Sequence, residues 1–208
     1  MSMPDKYSTV LGQGEYILIE KKSKFIANVA PVDTEEAARE YLDSIRKKYP
    51  DARHIVYAYL VSGESTYQRY SDDGEPQGTG GLPVLEAIKR EGLTNVICTV
   101  TRYFGGILLG APGLTRAYGS SASQALVEAG RRDVIKVRQV NVIVPLNAVK
   151  TLNRSLPDNN FTILGIEYMA DATFKVACTE DRIDELCTLI NDLTNGVNLV
   201  EPGDEVWM

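Results

Sequence analysis

The stretch "NVICTVTRYFGGILLGAPGLTRAYGSSASQALVEAG", residues 95–130, decides the first part of the fold. Its β-branched run over 95–104 predicts a buried central strand. From about residue 113 to 130, small and apolar residues recur at helical intervals. Glycines crowd the segment between these two elements, which marks a place where the backbone turns sharply or comes close to something. The stretch therefore predicts a strand, a glycine-rich turn and a helix that packs closely on a sheet.

Upstream of it, the pattern predicts a hairpin, a helix and a further strand. Two β-rich runs, 14–20 and 24–30, are separated by "KKS". Residues 33–49 combine helical spacing with acidic residues in the first turn, basic residues at the end and Asp33 as the predicted N-cap. Residues 54–61 predict a strand. The polar segment 62–81 is expected not to be regular throughout, and a short helix is expected over 82–92.

The last third of the chain predicts a second domain. In order, the patterns predict strand 139–145, helix 147–156, strands 161–168 and 172–178, helix 180–194 and a strand near 197–200. This β-α-β-β-α-β order is the ferredoxin-like arrangement. The segment "RRDVIKVRQ", residues 131–139, is interpreted as a hinge. The fold class is therefore α+β with two domains, 1–133 and 134–208.

Charge is distributed unevenly along the chain. Residues 1–133 contain 16 Lys and Arg against 17 Asp and Glu, whereas residues 134–208 contain 6 against 11. Because phosphate neutralisation dominates nucleic-acid affinity, the acidic second domain is a poor candidate for a broad RNA surface. Any phosphate contact is expected in the first domain, where basic residues cluster: Lys21, Lys22, Lys24, Arg46, Lys47, Lys48, Arg131 and Arg132.

Composition points to the cytoplasm and away from a membrane. No apolar run approaches the eighteen or so residues of a spanning helix, and the first ten residues lack the pattern of a signal peptide. The three cysteines are widely spaced and none lies in a CxxC motif. This spacing argues against a disulfide framework or a zinc site, so no metal is predicted. No cofactor is predicted either, because the sequence has neither the GxxxxGK(S/T) motif of a P-loop nor the GxGxxG motif of a dinucleotide fold.

The glycine-rich turn is the first candidate binding site. Backbone amides at the start of a helix, with Arg102 at the end of the strand and Arg116 near the start of the helix, could hold a phosphate or carboxylate. Other residues of the candidate site are Tyr103, Gly105, Gly106, Gly110 and Gly113. The alternative is a tight connection whose glycines only permit close packing.

Three carboxylates, Asp72, Asp73 and Glu75, form a second candidate. They could hold a divalent cation, but their spacing differs from that of a calcium loop. An Asp/Gly turn whose side chains cap nearby amides is the favoured interpretation, and a salt bridge to Arg102 or Arg116 is a further structural role. The only histidine, His54, lies at the start of a predicted strand and is interpreted as structural.

Three segments in this order and spacing closely resemble the IMPACT/YigZ family: "HIVYAYLV" (54–61), "SDDGEPQGTGGLPVLEAI" (71–88) and the run 95–126. The resemblance implies a first domain with the α/β fold of domain 2 of a small-subunit ribosomal protein. It also implies a ferredoxin-like second domain similar to the last domain of elongation factor G. The positions it marks are Asp72, Asp73, Glu75, Pro76, Gly78, Arg102, Tyr103, Gly105, Gly106, Gly110, Gly113, Arg116 and Tyr118.

The resemblance implies a function as well, since the eukaryotic relatives regulate translation by binding a protein that activates a stress kinase. The prediction is a non-enzymatic accessory or regulatory protein of translation, with RNA, the ribosome or a protein as its partner. One alternative is a phosphate- or nucleotide-handling enzyme similar to the GHMP kinases, because "GSSA" (119–122) is similar to part of their phosphate loop. The other alternative is a structural interaction module without an anion site.

Overall fold

A computed structural model describes residues 6–62 and 66–208. It divides into two compact units, Met1–Val134 and Ile135–Met208. Each unit contains both helices and strands, so the predicted two-domain α+β class is confirmed.

The first unit is built on an antiparallel five-stranded sheet in the order β2-β3-β6-β4-β5. Its strands are β2 (Gly14–Glu20), β3 (Ser23–Pro31), β4 (His54–Ser62), β5 (Thr66–Ser71) and β6 (Val96–Tyr103). A separate strand, β1 (Lys6–Val10), pairs with β7 (Arg131–Val144). The central position of β6 explains why its β-branched run is buried along nearly its whole length.

Helices cover both faces of this sheet. Helices α2 (Gly81–Arg90) and α3 (Gly110–Ala129) share one hydrophobic core with β3, β4 and β6. Helix α1 (Glu35–Lys48) packs on the other face, where Leu42 and Ile45 join the cluster that contains Ile97. At about 25 cal/mol per Å² of buried apolar surface, these two cores stabilise the unit far more than any surface ion pair could.

Several local predictions for the first unit need correction. The N-cap of α1 is Thr34, whose side chain accepts from the amide of Ala37 at 3.0 Å, and not Asp33. Helix α3 begins three residues before the predicted start, because a proline such as Pro112 is tolerated in the first turn of a helix. The polar segment also contains an edge strand, β5, which is exposed over most of its length.

The second unit has the predicted β-α-β-β-α-β order. Its sheet is antiparallel in the order β10-β7-β9-β8, with β8 (Thr162–Tyr168), β9 (Ala172–Cys178) and β10 (Leu199–Trp207). Helices α4 (Val149–Asp158) and α5 (Ile183–Thr194) contribute to its hydrophobic core. The segment interpreted as a hinge, 131–139, contains the boundary between the two units and lies within strand β7. No helix among the described residues has the length and apolarity needed to span a membrane.

Candidate functional site

The side chain of Arg102 turns inward at the end of β6. Its Nη1 atom lies 2.6 Å from Oε1 of Glu75, and the hydroxyl of Tyr118 donates to the same oxygen at 2.7 Å. All three residues are buried, with Arg102 and Glu75 only 7% and 8% exposed. The prediction that Arg102 faces outward and contacts a phosphate is therefore wrong. Arg102 instead forms an internal salt bridge, which was the alternative role predicted for it from the sequence. This buried triad ties the 72–80 segment to β6 and α3.

Aromatic rings complete the surroundings of the Arg102 guanidinium. Its central carbon lies 5.5 Å from the ring centroid of Phe25 and 5.5 Å from that of Phe104. Phe25 in turn makes an edge-on contact with Tyr118 at 5.1 Å between centroids. Burial, followed by the bond to Glu75, raises the pKa of Tyr118 well above its usual value, so this hydroxyl stays protonated and donates. Among the described residues, the Nε atom of Arg102 has no hydrogen-bond partner.

Asp72 and Asp73 also bond within the molecule. The carboxylate of Asp72 accepts from the amides of Gly78, Gly80 and Gly81 at 2.8–2.9 Å, which caps the start of α2. The carboxylate of Asp73 accepts from the amide of Ile55 at 2.6 Å. The capping interpretation of this turn is confirmed by these bonds. In the part of the chain that the structure describes, no group of three or more potential ligands is placed to hold a metal ion.

Replacing Asp72 with asparagine should weaken this cap. Burial raises the pKa of Asp72, but the three amide bonds outweigh it and hold the pKa below its ordinary value of 3.8. The stability contributed by the charge is therefore present above pH 3.8 and is lost as the pH falls below that value. We expect D72N to lower the free energy of unfolding by about 1 kcal/mol at neutral pH, because the NH₂ group replaces one acceptor oxygen and leaves an amide of this turn without its bond.

Urea denaturation at pH 7 and at about pH 3 checks this prediction, because the difference between D72N and the wild type should shrink at the lower pH. An equal difference at both values would show that the carboxylate charge contributes nothing to the cap.

The glycines of the turn serve packing and backbone conformation. A Cβ on Gly105 would lie 2.0 Å from the carbonyl carbon of Lys22, so the two backbones can approach only because Gly105 has no side chain. Gly110 begins α3 with a φ of 71°, a conformation that favours glycine. Gly106 lies in the exposed loop and Gly113 lies inside α3. These observations favour the tight-connection alternative for the turn.

Arg116 and Tyr103, the remaining predicted site residues, occupy different surroundings. Arg116 is an exposed residue of α3, and the structure shows no partner for it among the described residues. Tyr103, the last residue of β6, is half-buried and lines a cavity.

This cavity, called here the sheet-end cavity, has a volume of about 490 Å³. It lies where β4 begins and β6 ends, and its polar lining residues are Asp51, Arg53, His54 and Arg102. Its remaining wall consists of Tyr103, Phe104 and Leu108. Volumes of roughly 300–1,000 Å³ with apolar walls and a few polar groups are typical of small-ligand sites.

Three exposed cations at this end of the sheet, called here the basic rim, come from two segments, the β2–β3 hairpin and the residues before β4. Arg53 lines the cavity directly. Lys24 pairs across the sheet with Tyr103, and the backbone of Lys22 packs against Gly105, the neighbour of Phe104. Within the described ranges, no carboxylate lies within ion-pair distance, 4.0 Å, of these three cations. Positive charge there is left free to meet an anion from outside.

Sequence reasoning identified Lys22 and Lys24 as part of a basic cluster but missed Arg53 and the wall residues Phe104 and Leu108. Phe104 is 54% exposed and Leu108 is 81% exposed. The sequence signal was present in the apolar residues 107–109, which lie in a turn where polar residues are usual.

The fold and this site define a class of two-domain α+β protein with a buried Glu–Arg–Tyr triad beside an open cavity. The chain matches the Impact N-terminal domain over residues 21–126, and a domain of unknown function, DUF1949, over residues 143–197. This protein belongs to the IMPACT family.

Individual relatives cover nearly the whole chain. IMPACT family member YvyE of Bacillus subtilis is 33% identical over 206 residues, which are 99% of this chain and 95% of that protein. IMPACT family member YigZ of Escherichia coli is 32% identical and covers 85% of this chain and 87% of its own. A crystal structure described as that of a hypothetical protein has a TM-score of 0.64 at 28% identity and covers 95% of this chain and 97% of its own.

Proposed function

We propose that this protein is an accessory or regulatory factor of translation whose first unit binds single-stranded RNA at the sheet-end cavity. One observation carries the proposal: the basic rim, Lys22, Lys24 and Arg53, lies at the same end of the sheet as the exposed aromatic side chain of Phe104 and has no carboxylate partners among the described residues. A cationic groove with aromatic platforms is how proteins bind single-stranded RNA without sequence preference.

The role in translation comes from the family. The IMPACT resemblance connects the chain to eukaryotic regulators of translation, and translation offers RNA as an abundant partner. The same resemblance offers a protein partner instead, and binding to a protein rather than to RNA is an alternative outcome of the experiment. The absence of carboxylate partners for these cations favours RNA, because the phosphates of RNA would supply the negative charges that pair with them.

The charge of the second unit supports placing the RNA contact in the first unit. Residues 135–208 contain 6 Lys and Arg against 11 Asp and Glu. Such a surface repels a phosphate backbone, so we assign it to a protein contact or to orienting the first unit.

A phosphate-transfer enzyme of the GHMP kind is not favoured by the geometry. Ser120 and Ser121 lie well inside α3, and Ser121 is fully buried. Backbone amides there are used in the helix, so the "GSSA" residues form no phosphate loop.

The test is fluorescence anisotropy of a labelled single-stranded RNA over a series of salt concentrations. Three phosphate contacts predict that the logarithm of the binding constant falls with the logarithm of salt concentration with a slope of about −2. Binding that does not depend on salt, or no binding to RNA together with binding to a ribosomal protein, would overturn the RNA proposal.

A further inference from the structure

We infer that the sheet-end cavity holds one unstacked ribonucleotide of the bound strand, with its base against Phe104. The inference rests on the proposed RNA contact and deepens it by naming what enters the cavity. Three features of the cavity support it: the aromatic wall, the orientation of His54 and the charges of the lining residues.

The aromatic wall suits a base. One side of the Phe104 ring faces the guanidinium of Arg102, at 5.5 Å from the ring centroid. The ring is nevertheless 54% exposed, and the neighbouring Leu108 is 81% exposed. Exposed apolar residues that line a cavity mark a surface where a ligand is bound, and every base offers a flat face for stacking.

The orientation of His54 offers a hydrogen-bond acceptor to the ligand. Its Nδ1 atom lies 2.7 Å from the backbone oxygen of Asp73, and because a carbonyl only accepts, Nδ1 carries the hydrogen. The Nδ1–Cε1 edge also faces Gly74, where an added Cβ would lie 3.3–3.4 Å away. In neutral His54 the Nε2 atom therefore has a free lone pair, and no described residue donates to it. A ribose 2′-hydroxyl is a donor that RNA has and DNA lacks.

The charges of the cavity fit a single phosphate. The charge of Arg102 is already balanced by Glu75 at 2.6 Å, so Arg53 is the lining cation that is free to meet a phosphate. Asp51 also lines the cavity and would repel additional negative charge. A nucleotide with one phosphate therefore fits better than a polyphosphate.

The experiment measures binding of adenosine 5′-monophosphate, its 2′-deoxy analogue and inorganic phosphate by calorimetry. We expect the ribonucleotide to bind more tightly than either of the others. F104A should weaken its binding about tenfold, because stacking on an aromatic side chain is lost. Y67A is the matched control, since Tyr67 is also 54% exposed but lies on β5, outside the cavity lining. H54F should remove the preference for the ribose form, which separates the acceptor role of His54 from a role in packing.

Two results would overturn the inference: equal binding of the nucleotide and inorganic phosphate, or a nucleotide affinity that F104A leaves unchanged. Parallel measurements with the RNA strand distinguish the two proposals. If the strand binds with the expected salt slope while F104A has no effect on either ligand, the cavity inference fails and the RNA contact stands. If the nucleotide binds as expected while the strand shows no salt dependence, the RNA contact fails and the cavity remains a nucleotide site.

Discussion

The variant E75A should lose about 3–5 kcal/mol of unfolding free energy, because removing one partner of a buried ion pair leaves the other charge without compensation. Glu75 accepts from both Arg102 and Tyr118, and all three side chains are almost completely buried. The loss would therefore include an unpaired guanidinium and an unsatisfied hydroxyl. Urea denaturation followed by circular dichroism measures the change.

Two further variants show whether the uncompensated charge of Arg102 causes the loss of unfolding free energy in E75A. In E75A/R102M the cation is removed as well, so part of the lost stability should return, since an apolar replacement of a buried pair is often tolerated. D43A is the control, because it breaks the exposed pair between Arg46 and Asp43, and such pairs contribute little. A loss in E75A no larger than that in D43A would show that the triad does not hold the unit together.

Neutralising the basic rim in K22A/K24A/R53A should lower the affinity for single-stranded RNA about 100-fold at 0.1 M salt. Each phosphate contact contributes about −0.7 to the salt slope, so three contacts give a slope of about −2 and correspond to about two powers of ten in the binding constant at 0.1 M salt. The slope itself should fall towards zero. Anisotropy titrations at several salt concentrations give both quantities.

The matched control changes the same net charge at three exposed lysines that are not among the residues lining the cavity. Lys47 and Lys89 lie on α1 and α2 at their C-terminal ends, and Lys150 lies on α4. K47A/K89A/K150A should keep nearly all of the affinity and the slope. If the control and the rim variant lose affinity equally, the binding is a response to overall charge rather than to the rim.

Much of the fold follows from local patterns. The predicted α1 over 33–49 and the strand of residues 172–178 agree closely with the structure, because each has a clear period and distinct end signals. Strand β5 was missed since an edge strand exposed on both sides shows no alternation of apolar and polar residues. The segment 131–139 was not predicted as a strand because charged residues interrupt its apolar ones.

The site was harder to predict because the contacts that build it join residues far apart in the sequence. Arg102 and Glu75 are separated by 26 intervening positions in the sequence, and nothing local shows that they pair rather than face solvent. Burial between the rings of Phe25 and Phe104 is likewise a property of tertiary packing. The basic residues near 21–24 were visible in the sequence, but their position beside Arg53 and Phe104 depends on the register of β3 with β6.

The central claim, that RNA binds at the end of the first unit's sheet, is tested most directly by NMR. A single-stranded oligonucleotide is added to ¹⁵N-labelled protein and the shifts of the backbone amides are followed. We predict the largest changes at residues 22–24, 53–54 and 103–108. Largest changes within Ile135–Met208, or on the exposed face of α1, would contradict it.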